Sequence, residues 1–595
     1  MRRGRLDLFT NLFIQTVEFM GNNLSSRTAD GVSAVLCGQA GQGIQTVEFL
    51  LTRLLKLVGY NVFATKEYMS RIRGGMNSTE IRISSLPVRA LVDRIDILVV
   101  LDKGAVRHLQ RRISSDTVVL GEKSIIADDF DRVRDNFADV PFVKTAAEIG
   151  NKVYSNVVAV GTLAALFRVD KRIVTDFVKK FFSAKAGDIV ENNVKAASAG
   201  YKLGADLAAS GRIKFYVTPN KHVKTEILLN GAEAVGLGAI AGGCNLIAAY
   251  PMSPSTPVLV FLAKHAKEFG IIAEQAEDEV AAINMAVGAW YAGARAMAST
   301  SGGGFALMTE GLSLAGMLES PVVIHLAQRP GPATGLPTRT EQADLELALY
   351  AGHGEFPRII LAPGKIEDAF YLTQKAFNLA DKYQVPVFVL TDQYLIDSYY
   401  NFPSLDLPQT ENEKHIVKTK KDYKRYELTE TGISPRGIPG YGEGLVAVDS
   451  DEHDTEGHIT EDLDLRTKMV DKRLKKAESI KNEIIPPELI GPEDYKTLIV
   501  CWGSTYNVIN EAVENLGRDD IALLHFKQVY PLPKETADLL SNAERAIIIE
   551  NNATCQFGKL IKLNAGIDIE NKILKYNGLS FSVEEVAEKL NGLLT

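Results

Sequence analysis

Only four cysteines occur in this chain of 595 residues, and Cys37, Cys244, Cys501 and Cys555 are far apart in sequence. A cluster site normally announces itself with Cys-x-x-Cys spacing. None is present, so the chain is expected to hold no iron–sulfur cluster and no metal of its own. Scattered thiols fit buried packing in a reducing compartment, the cytoplasm. Long apolar runs are missing too: no stretch reaches the roughly 18 residues of a membrane helix. Charge of one sign is not in excess. The 66 Lys and Arg against 74 Asp and Glu leave a formal −8, which gives no sign of nucleic acid as a partner. A hydrophobic content of 46% and a charged content of 24% are those of a globular protein. At this length three to five domains are expected, each able to bury its own core.

Residues 1–30 read as an irregular extension. Met1-Arg-Arg-Gly-Arg5 precedes an apolar stretch, but Asp7 and Asn11 interrupt it and no clean small-residue cleavage site follows, which argues against a signal peptide. Ile14-Gln-Thr-Val-Glu-Phe-Met20 is nearly repeated as Ile44-Gln-Thr-Val-Glu-Phe-Leu50.

Residues 31–215 alternate strand and helix, as α/β domains do. Ser33 to Cys37 predicts a buried strand, Gly38-Gln-Ala-Gly-Gln-Gly43 a glycine loop, and Ile44 to Val58 an amphipathic helix. Strand, glycine loop and helix in that order set backbone N–H groups at a helix start, where anions bind. The spacing through Gly38, Gly41 and Gly43 is not the dinucleotide one, and a tight turn packing helix on sheet explains it equally well. Arg71 and Arg73 add charge nearby; a coenzyme A diphosphate or a subunit contact would suit them. Residues 222–402 predict a second α/β domain, and 494–595 a third. Between them 403–493 is charged and irregular, with Pro, Gly and Tyr anchors that predict a wrap over its neighbours. Within it Asp449-Ser-Asp-Glu-His-Asp454 and His458 look like metal ligands by composition. Consecutive side chains cannot converge on one ion, and a solvated or interface-paired loop is the better reading.

Three loops carry the chemistry. Tyr250-Pro-Met-Ser-Pro-Ser-Thr256 follows the apolar run Leu246 to Ala249. Thr300-Ser-Gly-Gly-Gly304 follows Ala294 to Ala298, downstream of Glu277-Asp-Glu-Val-Ala-Ala-Ile-Asn-Met-Ala-Val-Gly288. Gln328-Arg-Pro-Gly-Pro-Ala-Thr-Gly-Leu-Pro-Thr-Arg339 follows Pro321 to Ile324. Loops at the carboxyl ends of parallel strands converge on one crevice, so a carboxylate, several hydroxyls and two arginines are expected to meet.

On these loops, with Glu341-Gln-Ala-Asp344 and the later text Ile433-Ser-Pro-Arg-Gly-Ile-Pro439, the chain resembles the α subunit of the 2-oxoacid:ferredoxin oxidoreductases, 2-oxoglutarate enzymes included, with a γ domain fused ahead of it. The resemblance covers nearly everything after residue 31. It departs from the family at Ser253, where Thr is usual. The last segment, with Lys527-Gln-Val-Tyr-Pro-Leu-Pro533, resembles the carboxyl-terminal domain of transketolase-like enzymes.

The resemblance implies three α/β domains (γ, thiamine-pyrimidine-binding and transketolase C-terminal-like) and thiamine diphosphate as cofactor. Glu279 would bond N1′ of its aminopyrimidine; Glu274 and Glu277 compete on local grounds, and the spacing to Gly288 favours Glu279. Tyr250, Pro251, Ser301 and Gly302 would line the cofactor, and Ser253 and Thr256 the substrate. Arg339 or Arg329 would hold the substrate carboxylate, with Arg339 slightly preferred. The family's Gly-Asp-Gly diphosphate motif occurs nowhere in the chain. A β subunit is therefore expected to bring Mg2+, the diphosphate half and the iron–sulfur cluster, in an (αβ)2 heterotetramer. Coenzyme A would take the acyl group and ferredoxin the electrons, reversibly, with 2-oxoglutarate or a broad range of 2-oxoacids as substrate. A non-oxidative thiamine lyase or transferase, and a non-catalytic assembly subunit, are the competing readings.

Overall fold

The computed structural model describes residues 31–39, 44–69, 75–213, 215–407 and 412–594. Gly41, Gly43, Arg71 and Arg73 lie outside them, as does the 1–30 extension. The architecture is mixed α/β, with sheets of eight, seven and five strands.

The first sheet is built around Gly31–Gln39, whose side chains from Val32 to Gly38 are buried on both faces. It pairs in parallel with Ile97–Val100 and antiparallel with Met76–Ser84. The strand runs further than its apolar residues suggest. Gly38 sits opposite Asn77 in the ladder and belongs to the strand, not to a glycine loop. The helix Ile44–Val58 follows as expected.

The second sheet positions the loops. Leu246–Ala249, Ala296–Thr300, Val322–Gln328 and Pro386–Asp392 lie side by side and parallel, so the segments after the first three emerge at one end. Their near-continuous apolar sequences fit strands covered by helices on both faces. The third sheet is parallel across Ile521–Phe526, Thr497–Trp502, Arg545–Glu550 and Asn571–Leu574.

The sheets do not respect the segment boundaries read from sequence. Ile227–Asn230 and Tyr399–Phe402, from the two ends of the middle segment, complete the first sheet beside Asn61–Glu67. Gln528–Tyr530, from the last segment, pairs antiparallel with Ile359–Leu361 at the edge of the second. Each exchange satisfies an edge that would otherwise be open, and it ties the three units together.

The 403–493 segment wraps over the middle domain but is not wholly irregular, because it contains the helix Leu463–Ile480. Asp462 caps that helix through the N–H groups of Asp464 and Leu465. Hydrophobic periodicity does not reveal it, since the face turned inward carries Lys472, Arg473 and Lys476. Both lysines meet the fully buried Glu319, at 2.7 Å and 2.6 Å. Arg425 adds a hydrogen bond to the Glu319 carbonyl, and Arg436 joins Arg295 on the buried Asp381. His453, from the acidic run, is buried, its ring tilted against that of Tyr426 with centroids 3.9 Å apart. Among the described residues no cluster of His, Cys, Asp and Glu could hold a metal ion. No described helix is long and apolar enough to cross a membrane.

Candidate functional site

Glu279 is the first residue of the helix Glu279–Tyr291. Capping is done by its neighbour: the Asp278 carboxylate accepts the Ala281 N–H at 2.7 Å. Glu279 is thereby left to turn inward, where it is 3% exposed. Glu274 and Glu277, its local competitors, are exposed to solvent. Oε1 of Glu279 is buried and has no hydrogen-bond partner among the described residues. Buried carboxylate oxygens are nearly always paired, so this one points to a donor from outside the chain.

Space beside Glu279 is kept by glycine. A Cβ on Gly304 would fall 2.5 Å from Oε1 of Glu279 and 2.2 Å from Oγ1 of Thr300. One on Gly302 would fall 2.3 Å from Oδ2 of Asp344. Only hydrogen fits at either position. Ser301 lies between them with its hydroxyl buried and unpartnered.

The loop after Val322–Gln328 closes over these residues. The Gln328 amide spans its base, accepting from the Asp344 N–H and donating to the Thr391 carbonyl. Arg329 donates from Nη1 to the Ser253 carbonyl at 2.7 Å, which links the first and third loops. Its Nε is buried without a partner. Asp344 was not singled out by sequence as a site residue, although it closes the Glu341-Gln-Ala-Asp344 signature. Burial, reinforced by the charge of Glu341 and opposed by Arg329, pushes its carboxyl up to about 7. Oδ2 of Asp344 is also unpartnered. Four groups unsatisfied among the described residues, on Glu279, Ser301, Arg329 and Asp344, thus belong to three loops at one end of the sheet.

The remaining predicted residues occupy the edge. Tyr250 is exposed and Pro251 and Ser253 are half-buried. Thr256 opens the helix Thr256–Phe269, its N–H donating to the Met252 carbonyl. Arg339 is turned elsewhere: its Nη1 meets Glu67 of the first sheet at 2.6 Å. It lines a cavity of about 370 Å3 where all three segments meet. The two arginines of one loop therefore serve different faces.

Comparison with known proteins identifies the family. Residues 237–472 match a family model described as "Pyruvate flavodoxin/ferredoxin oxidoreductase, thiamine diP-bdg". Residues 33–203 match one described as "Pyruvate ferredoxin/flavodoxin oxidoreductase". The 2-oxoacid:ferredoxin oxidoreductase subunit alpha of Sulfolobus sp is 34% identical, over 94% of this chain and 96% of that one. The 2-oxoglutarate oxidoreductase subunit KorA of Mycobacterium tuberculosis is 27% identical, over 94% and 90%. Among solved structures, the 2-oxoglutarate:ferredoxin oxidoreductase from Magnetococcus marinus, with 2-oxoglutarate, coenzyme A and succinyl-CoA bound, superposes with a TM-score of 0.88 at 30% identity. It covers 95% of this chain and 100% of that one. Two such family matches in succession, in a chain matched nearly end to end by such relatives, leave one conclusion: this chain belongs to the α subunits of the thiamine-dependent 2-oxoacid:ferredoxin oxidoreductases.

Proposed function

We propose that this subunit supplies the pyrimidine and substrate half of a thiamine diphosphate site that it shares with a β subunit. The observation that carries the reading is Glu279, whose buried Oε1 lacks a donor among the described residues, beside space held open by Gly302 and Gly304. These residues fit an aminopyrimidine: Glu279 would make a charge-assisted hydrogen bond with N1′, and the glycine-lined floor would accept the flat ring. When bound, thiamine diphosphate supplies the carbon nucleophile for a 2-oxoacid's keto carbon and the sink for the electrons left as CO2 departs. The chain's own contribution is to hold the ring, to fix the proton at N1′ and to orient the substrate.

Arg339 is the residue we assign to the substrate carboxylate. Both arginines are engaged, Arg329 with the Ser253 carbonyl and Arg339 with Glu67, and Arg339 is preferred because it lines a cavity large enough for a small acid. Ser253 and Thr256 would complete the substrate side, with Tyr250, Pro251, Ser301 and Gly302 around the cofactor. Mg2+, the diphosphate contacts and the iron–sulfur cluster fall to the β subunit, because Gly-Asp-Gly and cysteine pairs are missing here. The reaction would form acyl-CoA and CO2 and reduce ferredoxin, reversibly, in an (αβ)2 assembly. Relatives named for 2-oxoglutarate and for 2-oxoacids support 2-oxoglutarate or a broad substrate range. Gly38, Gly41, Gly43, Arg71 and Arg73 remain our candidates for coenzyme A. Free, buried cysteines support a reducing cytoplasm.

The test is reconstitution. The chain alone should be colourless, free of iron and a weak binder of thiamine diphosphate by calorimetry. Adding the β subunit should restore brown colour, tight cofactor binding and oxoacid-dependent dye reduction together. Stoichiometric iron, or tight magnesium-dependent cofactor binding by the isolated chain, would overturn the shared-site reading.

A further inference from the structure

Charged side chains crowd the cavity where the three segments meet. The first segment contributes Lys66, Glu67 and His108, the second Arg339 and Asp397, and the third Lys575. Most of this charge is matched in fixed pairs. Lys66 meets Asp397 at 3.0 Å, Arg112 grips both oxygens of Glu80, and Lys575 pairs with Glu585. The pair between Glu67 and Arg339 differs, because it joins the first sheet to the signature loop.

Both partners are held in place. Glu67 ends the strand Asn61–Glu67, opposite Ser78. Arg339 is pinned through its backbone: its N–H donates to the Leu336 carbonyl, and the next N–H, of Thr340, donates to the Gly578 carbonyl. Gly578 has φ +82° and packs on the arginine stem; a Cβ there would lie 3.2 Å from that of Arg339. Glu67 has a second neighbour, with Nε2 of His108 3.5 Å from its Oε1. Burial alone would raise the Glu67 carboxyl. The contact with His108 and the charge of Arg339 hold it at about 2, so it is an anion at any physiological pH.

We propose that Glu67 is a positioning residue that acts as a resident carboxylate, occupying Arg339 until the carboxylate of a 2-oxoacid takes its place. The proposal rests on the assignment of Arg339 to the substrate. Two carboxylates then compete for one guanidinium, and the incoming carboxylate replaces the ion pair that it breaks. Once displaced, Glu67 still faces the His108 ring nitrogen at 3.5 Å. Glu67 and His108 belong to the first segment and Arg339 to the second. Capture of substrate therefore exchanges a contact between two domains for a contact with the ligand.

The experiment is steady-state kinetics on the reconstituted complex with 2-oxoglutarate and pyruvate as probes. E67Q removes the competing charge and should lower KM about two- to fivefold, the scale of a partly exposed ion pair, with kcat changed by less than about twofold. A residue that merely props Arg339 would give the opposite sign. An unchanged or raised KM in E67Q overturns the proposal. If E67Q does not assemble with the β subunit, E67D, which keeps the charge but withdraws it from Arg339, must lower KM instead, and its failure to do so is equally fatal. R339M separates this proposal from the reading beneath it. That variant should raise KM about 10- to 100-fold, as loss of a charged hydrogen bond does. If R339M leaves KM unchanged, or if R329M alone raises it, the assignment of Arg339 fails and Glu67 falls with it. If R339M raises KM and E67Q does not lower it, only the role of Glu67 is lost.

Discussion

Gly304 and Glu279 are related by a missing side chain: a Cβ on the glycine would stand 2.5 Å from the Oε1 of the glutamate. The first prediction follows from that distance. Gly304→Ala should force Glu279 and Thr300 to shift, at a cost of about 1–3 kcal/mol for an overpacked site. Affinity of the reconstituted complex for thiamine diphosphate should fall about ten- to hundredfold. Gly303→Ala is the control, since its Cβ would meet only the Ala333 carbonyl, at 3.5 Å. Equal cofactor affinity in the two variants, read by calorimetry, would mean the space beside Glu279 is not used.

Asp344 gives a pH dependence with a definite sign. Its carboxyl is raised from 3.8 to about 7, with burial as the main cause, so the folded chain keeps this proton over a range where the unfolded chain has lost it. The associated stability is fully present below about pH 4 and is lost as pH rises through about 7. Asp344→Asn should flatten that part of the stability profile. Urea unfolding of the isolated chain between pH 4 and 8 reads it; parallel profiles for the two proteins would contradict the assignment.

Much of this layout is legible in the sequence, and the parts that are not share a cause. Leu246–Ala249, Ala296–Thr300 and Val322–Gln328 are short apolar runs bounded by Pro, Gly and Ser, so strands and loops can be placed without coordinates. Glu279 is favoured by its spacing to Gly288, and the fold buries its side chain. Partners distant in the chain are another matter. No local pattern says that Tyr399–Phe402 completes the first sheet, or that Gln528–Tyr530 completes the second. The same holds for Arg339, whose contact with Glu67 spans two domains. The helix Leu463–Ile480 is hidden for a different reason: it buries cations against Glu319 where a periodicity argument looks for Leu and Ile.

That buried triad is itself testable. Glu319→Ala would leave Lys472 and Lys476 in the interior without their shared anion. Removing one partner of a buried ion pair costs about 3–5 kcal/mol. The urea midpoint should drop accordingly, and the 403–493 wrap should become sensitive to limited proteolysis. A loss below about 1 kcal/mol, the scale of an exposed pair, would show that water reaches the lysines.

Glu279→Gln in the reconstituted complex tests the central claim most directly. The amide keeps the size of the side chain but cannot supply the carboxylate's charge-assisted hydrogen bond to N1′. Exchange of the C2 proton of bound thiamine diphosphate, followed by NMR after rapid quench into deuterated solvent, should slow by a factor on the order of a thousand or more. Assembly with the β subunit should be unaffected. Exchange at the wild-type rate in the Glu279→Gln complex would contradict the account.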